Sequence, residues 1–165
     1  LAPAAAQTIV PRTHGPDSAV QVVYDGPEKA GTIVVDAGSR KLLLVENAGK
    51  ARQYSIAVGR EGFGWTCTVR VGGKREWPEW IPPQEMRLRD PDLPESVPPG
   101  PLNPLGARAI YLFDGKRDTL YRIHGTNDAS TVGGFETSGC FRLSNADVMD
   151  LFKRVSVGAK VIVDD

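Results

Sequence analysis

The chain begins with a succession of short β-rich runs, and this pattern limits its fold more than any other feature. Between residues 20 and 71, runs of aliphatic and β-branched residues alternate with turn residues, and none of the runs has a helical period. The runs occupy residues 20–24, 32–36, 41–45, 54–58 and 66–71, and Gly72-Gly73 ends the last of them. Short strands at this regular spacing predict a mainly β domain, an antiparallel sandwich or barrel.

The second half of the chain predicts a strand pair, one clear helix and a closing strand. Residues 109–113 and 119–124 flank the turn Asp114-Gly115-Lys116. Ser144 opens a capping-box-like sequence, after which four apolar residues recur at helical spacing: Val148, Leu151, Phe152 and Val155. Residues 160–163 then form the last predicted strand.

A long proline-rich segment lies between these two parts. Residues 78–104 contain nine of the thirteen prolines, which argue against a central strand or a helix. The segment is too long for an ordinary connection, so it is either disordered or a loop with a function. We predict an ordered, wall-forming loop in which Trp77 and Trp80 dock on the body of the domain and shield a site from water.

Charge and length exclude several classes of protein. Twenty basic and twenty acidic residues cancel, so the chain has no net field that would gather nucleic acid or an anionic membrane. No apolar run is long enough to span a bilayer. The 165 residues suffice for one domain with its own core, which we place at residues 19–165.

The first residues, LAPAAAQ, have the small-residue character of a signal-peptidase site at Ala4-Ala5-Ala6. We therefore predict that residues 1–18 are a residual export or linker segment and that the protein is exported. A flexible Ala/Pro tail is the alternative.

His124 and Cys140 stand at the two ends of the glycine-rich stretch HGTNDASTVGGFETSGC. A thiol attacks a carbonyl as its thiolate, and a neighbouring imidazole is the commonest group that produces one. The glycines allow the chain to reverse between the two residues, and Arg142 can hold a substrate carboxylate. Each residue alone is more often structural, so the spacing leaves both interpretations open. The sequence has no zinc-ligand spacing and predicts neither a metal nor an organic cofactor.

These residues resemble the signature of the L,D-transpeptidase (YkuD-like) family. His124-Gly125-Thr126, followed by TSGCFRLSN at residues 137–145, is similar to the family's His-Gly dipeptide and its [S/T]-x-G-C-x-R segment. The resemblance extends to V-G-R at residues 58–60, N-P-L-G at residues 103–106 and the closing strand at residues 157–161. Two positions depart from it. Ser138 stands where the family often has His, and Cys67 lies where a T-P-x-G sequence is usual.

The resemblance implies a reaction on peptidoglycan stem peptides in the periplasm or cell wall. Cys140 would attack the carbonyl between diaminopimelate and D-Ala, His124 would act as base, and the Gly125 carbonyl would orient the imidazole. The backbone N–H groups of Ser138, Gly139 and Cys140 would form the oxyanion hole. Four residues would contact substrate: Arg142, Thr126, Thr137 and Asn103.

The same resemblance implies a thioester on Cys140 that passes to an amine. The acceptor would be a second diaminopimelate, giving a 3–3 cross-link, or a lysine of an envelope lipoprotein or outer-membrane protein. A carbapenem would acylate the same thiol. The alternatives are a carboxypeptidase, which transfers to water, and a non-catalytic peptidoglycan-binding module. A disulfide between Cys67 and Cys140 is a further, regulatory, possibility.

Overall fold

The computed structural model describes residues 18–59, 67–128, 130, 132, 135–137 and 140–164. The predicted export or linker segment at residues 1–18 lies almost wholly outside this range. Its boundary with the domain therefore stays a prediction.

Eleven strands and two helices are formed by the described residues. The strands are β1 (Val20–Val23), β2 (Ile33–Asp36), β3 (Lys41–Val45), β4 (Lys50–Ser55), β5 (Val58–Gly59), β6 (Cys67–Glu76), β7 (Arg108–Asp114), β8 (Arg117–His124), β9 (Phe135–Thr137), β10 (Phe141–Arg142) and β11 (Lys160–Asp164). The helices are α1 (Gln84–Arg89) and α2 (Asn145–Arg154).

Nine of these strands form one sheet in the order β1-β4-β3-β2-β11-β6-β7-β8-β10, and β5 pairs with β9. Most neighbours are antiparallel, whereas β2–β11, β8–β10 and β5–β9 are parallel. The prediction of a mainly β domain is confirmed.

Helix α2 packs against the inner face of this sheet. Ser144 caps it by accepting a hydrogen bond from the Asp147 N–H at 3.2 Å, as the capping sequence predicts. Val148 and Leu151 of α2 share one buried cluster with residues of both halves of the sheet, such as Leu42 and Ile110. Because both halves contribute to this cluster, the sheet curves around the helix.

A polar contact joins α2 to the first half of the sheet. The Tyr54 hydroxyl donates to the Asp150 carboxylate at 2.7 Å, and the Arg52 Nε donates to the same oxygen at 2.6 Å. Tyr54 is fully buried, so this shared acceptor satisfies a phenol that would otherwise be costly to bury.

The two glycines at residues 72 and 73 do not end a strand, contrary to the prediction. Strand β6 runs through them to Glu76, with an irregular register against β7 between Val71 and Gly73. A Cβ at residue 72 would collide with the ring of Phe113. The glycines therefore form a β-bulge on which an aromatic ring rests, instead of a turn.

The predicted strand at residues 54–58 is interrupted. Strand β4 ends at Ser55 and β5 begins at Val58. Between them, the backbone of Ala57 exchanges both hydrogen bonds with Arg142, at 2.8 and 3.0 Å. This bridge brings the first half of the chain to the segment that follows Cys140.

The proline-rich segment is folded, and it contains the short helix α1, which the prolines had argued against. Pro83 occupies the N-cap position of α1, where a proline costs no helical hydrogen bond. Trp80 and Val97 exchange backbone hydrogen bonds at 2.8 and 2.9 Å and close the segment on itself. Among the described residues, no helix is long and apolar enough to cross a membrane.

Candidate active site

His124 ends strand β8 and is 5% exposed. Its Nδ1 lies 2.5 Å from the carbonyl oxygen of Gly125. A carbonyl can only accept a hydrogen bond, so Nδ1 carries the proton in this contact. The lone pair of the neutral ring then resides on Nε2, which is the nitrogen that can take a proton from a thiol.

Cys140 lies beside the same strand. The backbone N–H of Arg122, two residues before His124, donates to the Cys140 Sγ at 3.3 Å. Strand β10 follows Cys140 at once and pairs in parallel with β8, which sets Phe141 opposite Ile123 and Arg142 opposite His124. Thiol and imidazole are therefore diagonal neighbours on adjacent chain segments, a separation that an imidazole side chain can span.

Burial favours the uncharged forms of both groups. It lowers the pKa of His124 from 6.5 to about 4; the Gly125 hydrogen bond opposes this effect, while the positive charges of Arg142 and Arg122 add to it. Burial also raises the pKa of the Cys140 thiol, against the Arg122 N–H and the same two guanidinium groups. At neutral pH the site thus holds a neutral imidazole beside a neutral thiol.

Asn145, the first residue of α2, links the helix to the His124 segment. Its Oδ1 accepts a hydrogen bond from the Ala107 N–H at 2.9 Å and another from the Thr126 N–H at 3.1 Å. The residue is 8% exposed, so both bonds lie away from water. One amide oxygen therefore holds the Gly125–Thr126 peptide, whose carbonyl orients His124, beside the neighbouring Ala107 segment.

The glycines at residues 106 and 125 make room for this oxygen. A Cβ at either position would collide with the Asn145 Oδ1. Gly106 also has a φ of +66°, a left-handed conformation that glycine adopts without strain. The Gly in N-P-L-G and the Gly after His124 are thus required by the same close approach.

Arg142 is half-buried and paired with His124 in the sheet, and its backbone forms the bridge to Ala57. Its positive charge acts on both His124 and Cys140. Arg142 thus places a positive charge close to the two reacting groups, as its predicted role of holding a substrate carboxylate requires.

Two residues that were predicted to contact substrate have structural partners. Asn103 is fully buried, and its Nδ2 donates to the carbonyls of Pro78, Val97 and Pro98 at 2.8 to 3.2 Å. Its Oδ1 accepts from the Leu105 N–H, so the side chain holds the proline-rich segment together. The Thr126 hydroxyl is buried and bonded to the backbone of Asp128. Both side chains thus have backbone partners, and their contact with substrate stays a prediction.

The other predicted residues lie at the end of a described segment or outside the described residues. Thr137 ends strand β9, which pairs with β5. Ser138 and Gly139, two members of the predicted oxyanion hole, lie outside the described residues, so that role stays a prediction. Among the described residues, no three His, Cys, Asp or Glu side chains cluster as metal ligands would.

Cys67 lies at the other end of the sheet. It begins β6, is exposed, and has Asp114 and Arg117 of the β7–β8 turn as its charged neighbours. Cys140 lies beside Arg122, which is five residues from Arg117 along β8, or roughly 16 Å at 3.3 Å per residue. A disulfide between Cys67 and Cys140 is therefore excluded by distance.

Trp77 does not cover the site. The Arg108 guanidinium stacks on its ring at 5.6 Å and on the Phe152 ring of α2 at 5.4 Å. The next residue, Ala109, pairs with His124, so Arg108 and His124 point to opposite faces of the sheet. The predicted role of Trp77 as a shield over the reaction is wrong.

Sequence reasoning missed two residues of this site, Arg122 and Asn145. Arg122 carried a signal, because it precedes His124 by two residues in the predicted strand and so shares its face. Asn145 gave no such signal, because it lies in the predicted capping sequence of the helix and its partner Ala107 is 38 residues away.

Comparison with known proteins agrees with this arrangement. A family model described as the L,D-transpeptidase catalytic domain, YkuD, matches residues 30–163. This chain belongs to that L,D-transpeptidase family. A probable L,D-transpeptidase of Escherichia coli K12, ErfK/SrfK, is 33% identical over 153 residues, covering 88% of this chain and 47% of the relative. The chain thus spans about half the length of this L,D-transpeptidase relative.

Two solved structures share the fold. A protein of Brucella melitensis, described as a probable carnitine operon oxidoreductase, is 45% identical with a TM-score of 0.62 and covers 95% of this chain and 97% of its own. An L,D-transpeptidase from Mycobacterium smegmatis is 18% identical with a TM-score of 0.61, covering 81% and 58%, and shows the fold alone.

Proposed function

We propose that this chain catalyses acyl transfer from peptidoglycan tetrapeptide stems, with Cys140 as the nucleophile. The observation that carries the proposal is the pairing of a buried neutral imidazole, oriented by the Gly125 carbonyl, with a thiol held two residues away on the neighbouring segment. Membership of the L,D-transpeptidase family supports this choice of substrate class.

The reaction starts from the neutral pair. As Sγ bonds to the carbonyl carbon between diaminopimelate and D-Ala, the thiol proton passes to Nε2 of His124. The resulting imidazolium is stabilised by its Nδ1–H bond to the Gly125 carbonyl. When the C–N bond breaks, the imidazolium returns the proton to the amine of D-Ala, which leaves. A thioester remains on Cys140.

An amine or water then takes the acyl group. His124, again neutral, removes the proton of the incoming nucleophile, and the thiol departs with that proton. Backbone N–H groups of Ser138, Gly139 and Cys140 are proposed to hold the oxyanion in both steps. An amine of diaminopimelate gives a cross-link, a protein lysine gives an attached envelope protein, and water gives a free tripeptide.

Product analysis tests the proposal. Disaccharide-tetrapeptide incubated with the protein is expected to yield dimers and free D-Ala, measured by mass spectrometry. The Cys140→Ala variant is expected to yield neither. Free tripeptide without dimers would replace the transferase with a carboxypeptidase, and the absence of any product would favour the binding module.

A further inference from the structure

A groove of about 460 Å³ lies on the face of the sheet that carries His124. Cross-strand pairing places Gly73, Tyr111 and Arg122 in one row across β6, β7 and β8. The next row contains Ala109 and His124, so both rows share one face. The first row ends at Cys140, because the Arg122 N–H donates to Sγ. Arg122 therefore lines the groove and also contacts the nucleophile through its backbone N–H.

The groove is opened by irregular backbone. The register shifts in β6–β7 next to Gly73 and again in β7–β8 between Tyr111 and Phe113. Leu120 has a φ of +67°, and its N–H is bonded to the Asp118 carboxylate at 2.8 Å. Bulges that redirect side chains concentrate near functional sites.

The charged groups of the groove are fixed in place. Both terminal nitrogens of Arg122 donate to the Asp118 carboxylate, at 2.6 and 3.1 Å, and the guanidinium stacks on the Tyr111 ring at 4.4 Å. Arg75 is a second, exposed, guanidinium on this face. Lys74 points to the other face, where it donates to the Val155 carbonyl. The described lining thus offers two guanidiniums, one carboxylate and two aromatic rings.

We propose that this groove binds the side chain of the diaminopimelate residue whose carbonyl is attacked by Cys140. That side chain consists of three methylene groups that end in a carbon bearing an ammonium and a carboxylate. The carboxylate fits Arg75 and Arg122, the ammonium fits Asp118, and the methylenes fit the rings of Tyr111 and Phe113. The assignment rests on the proposed function for the identity of the peptide.

Two matched tetrapeptides test this assignment. They differ only at position three, which is meso-diaminopimelate in one and L-lysine in the other, so the second lacks the terminal carboxylate. Binding is measured by calorimetry on the Cys140→Ala protein, where no turnover occurs. We expect the diaminopimelate peptide to bind about tenfold more tightly, the value of one charge-assisted contact.

Two substitutions in the groove are expected to abolish this preference. Arg75→Gln removes a cation, and Gly73→Val fills the groove, since a Cβ at residue 73 meets only Tyr111 Cδ2, at an ordinary 3.6 Å. The matched controls are Arg89→Gln in α1 and Thr68→Val at the far end of β6, both at exposed positions. Both controls are expected to keep the preference.

The outcomes separate the groove from the reaction. Equal binding of the two peptides by the wild-type groove, or a preference that survives both groove substitutions, would overturn the assignment. If Arg75→Gln leaves the KM for D-Ala release unchanged and lowers only the ratio of dimer to tripeptide, the groove serves the acceptor stem, and the donor assignment is wrong. A preference without D-Ala release would uphold the groove and refute the proposed function.

Discussion

Replacing His124 with glutamine is expected to lower kcat/KM for D-Ala release by about 10²- to 10⁴-fold, the usual contribution of a positioned general base. Glutamine keeps a hydrogen-bonding side chain but cannot take a proton at neutral pH. Because the thiol pKa is raised, Cys140 does not ionise without help, so the loss falls on the acylation step. Single-turnover release of D-Ala measures it. The control is His14→Gln, which changes the only other histidine of the sequence.

The pH dependence of His124 gives a second measure of the same residue. The folded protein holds His124 neutral down to about pH 4, whereas an unfolded chain protonates it near 6.5. The unfolded state therefore binds more protons between these values, and the free energy of unfolding falls as the pH falls through this window. The loss is on the order of 3 kcal/mol at the acid end. Urea unfolding at pH 7.5 and pH 4.5 should show a smaller loss for His124→Gln than for wild type.

Equal losses in the two proteins would contradict the burial of a neutral imidazole. The pH dependence of the activity tests the same lowered pKa of His124. Because the base stays neutral, kcat/KM should hold its value below pH 6 and decline only towards pH 4. A decline centred on 6.5 would mean that His124 titrates as an exposed histidine.

Replacing Asn145 with leucine is expected to destabilise the fold by about 2–6 kcal/mol, since two buried N–H groups each lose their acceptor at a cost of about 1–3 kcal/mol. Leucine has the same branched shape but larger methyl groups, so the effect combines the lost hydrogen bonds with crowding against the two N–H groups. The Gly125–Thr126 peptide then loses its tie to α2, and the Gly125 carbonyl that orients His124 belongs to that peptide. We therefore expect kcat to fall as well, in protein that is still folded.

Asn145→Asp retains an acceptor oxygen and is expected to preserve most of the stability and activity. Asn127→Leu is the matched control, at an exposed position two residues after Gly125, and is expected to change neither the stability nor the activity. Urea unfolding and single-turnover D-Ala release measure the two effects. An Asn145→Leu protein as stable and as active as wild type would show that these bonds do not hold the site.

The strand runs and the capped helix could be predicted from the sequence because their signals are local. Side-chain type along residues 41–45 and 145–154 is enough to specify a buried strand and an amphipathic helix. The bulge at Gly72-Gly73 could not be predicted, because a glycine pair is also turn chemistry. What decides between them is the ring of Phe113, which arrives from another strand.

Some residues of the candidate site could likewise be predicted from local sequence, and others could not. His124 and Cys140 could be predicted because an imidazole and a thiol are reactive groups, and because they lie at the two ends of one glycine-rich stretch. Asn103 and Thr126 are polar residues in motif positions, but their partners are backbone atoms. Nothing in a polar side chain distinguishes a substrate contact from a structural one until the chain has folded. Asn145 was missed for the converse reason, since a polar residue directly after the capping residue Ser144 is already expected at the start of a helix.

The central claim is that Cys140 forms a thioester with the tripeptide portion of the stem. Intact-protein mass spectrometry after rapid acid quenching tests it most directly, with digestion to locate the adduct. We predict a mass increase equal to the acyl tripeptide moiety, confined to the peptide that contains Cys140, present in Cys67→Ala and absent from Cys140→Ala. Release of D-Ala by the Cys140→Ala protein, or an adduct on any other residue, would contradict the account.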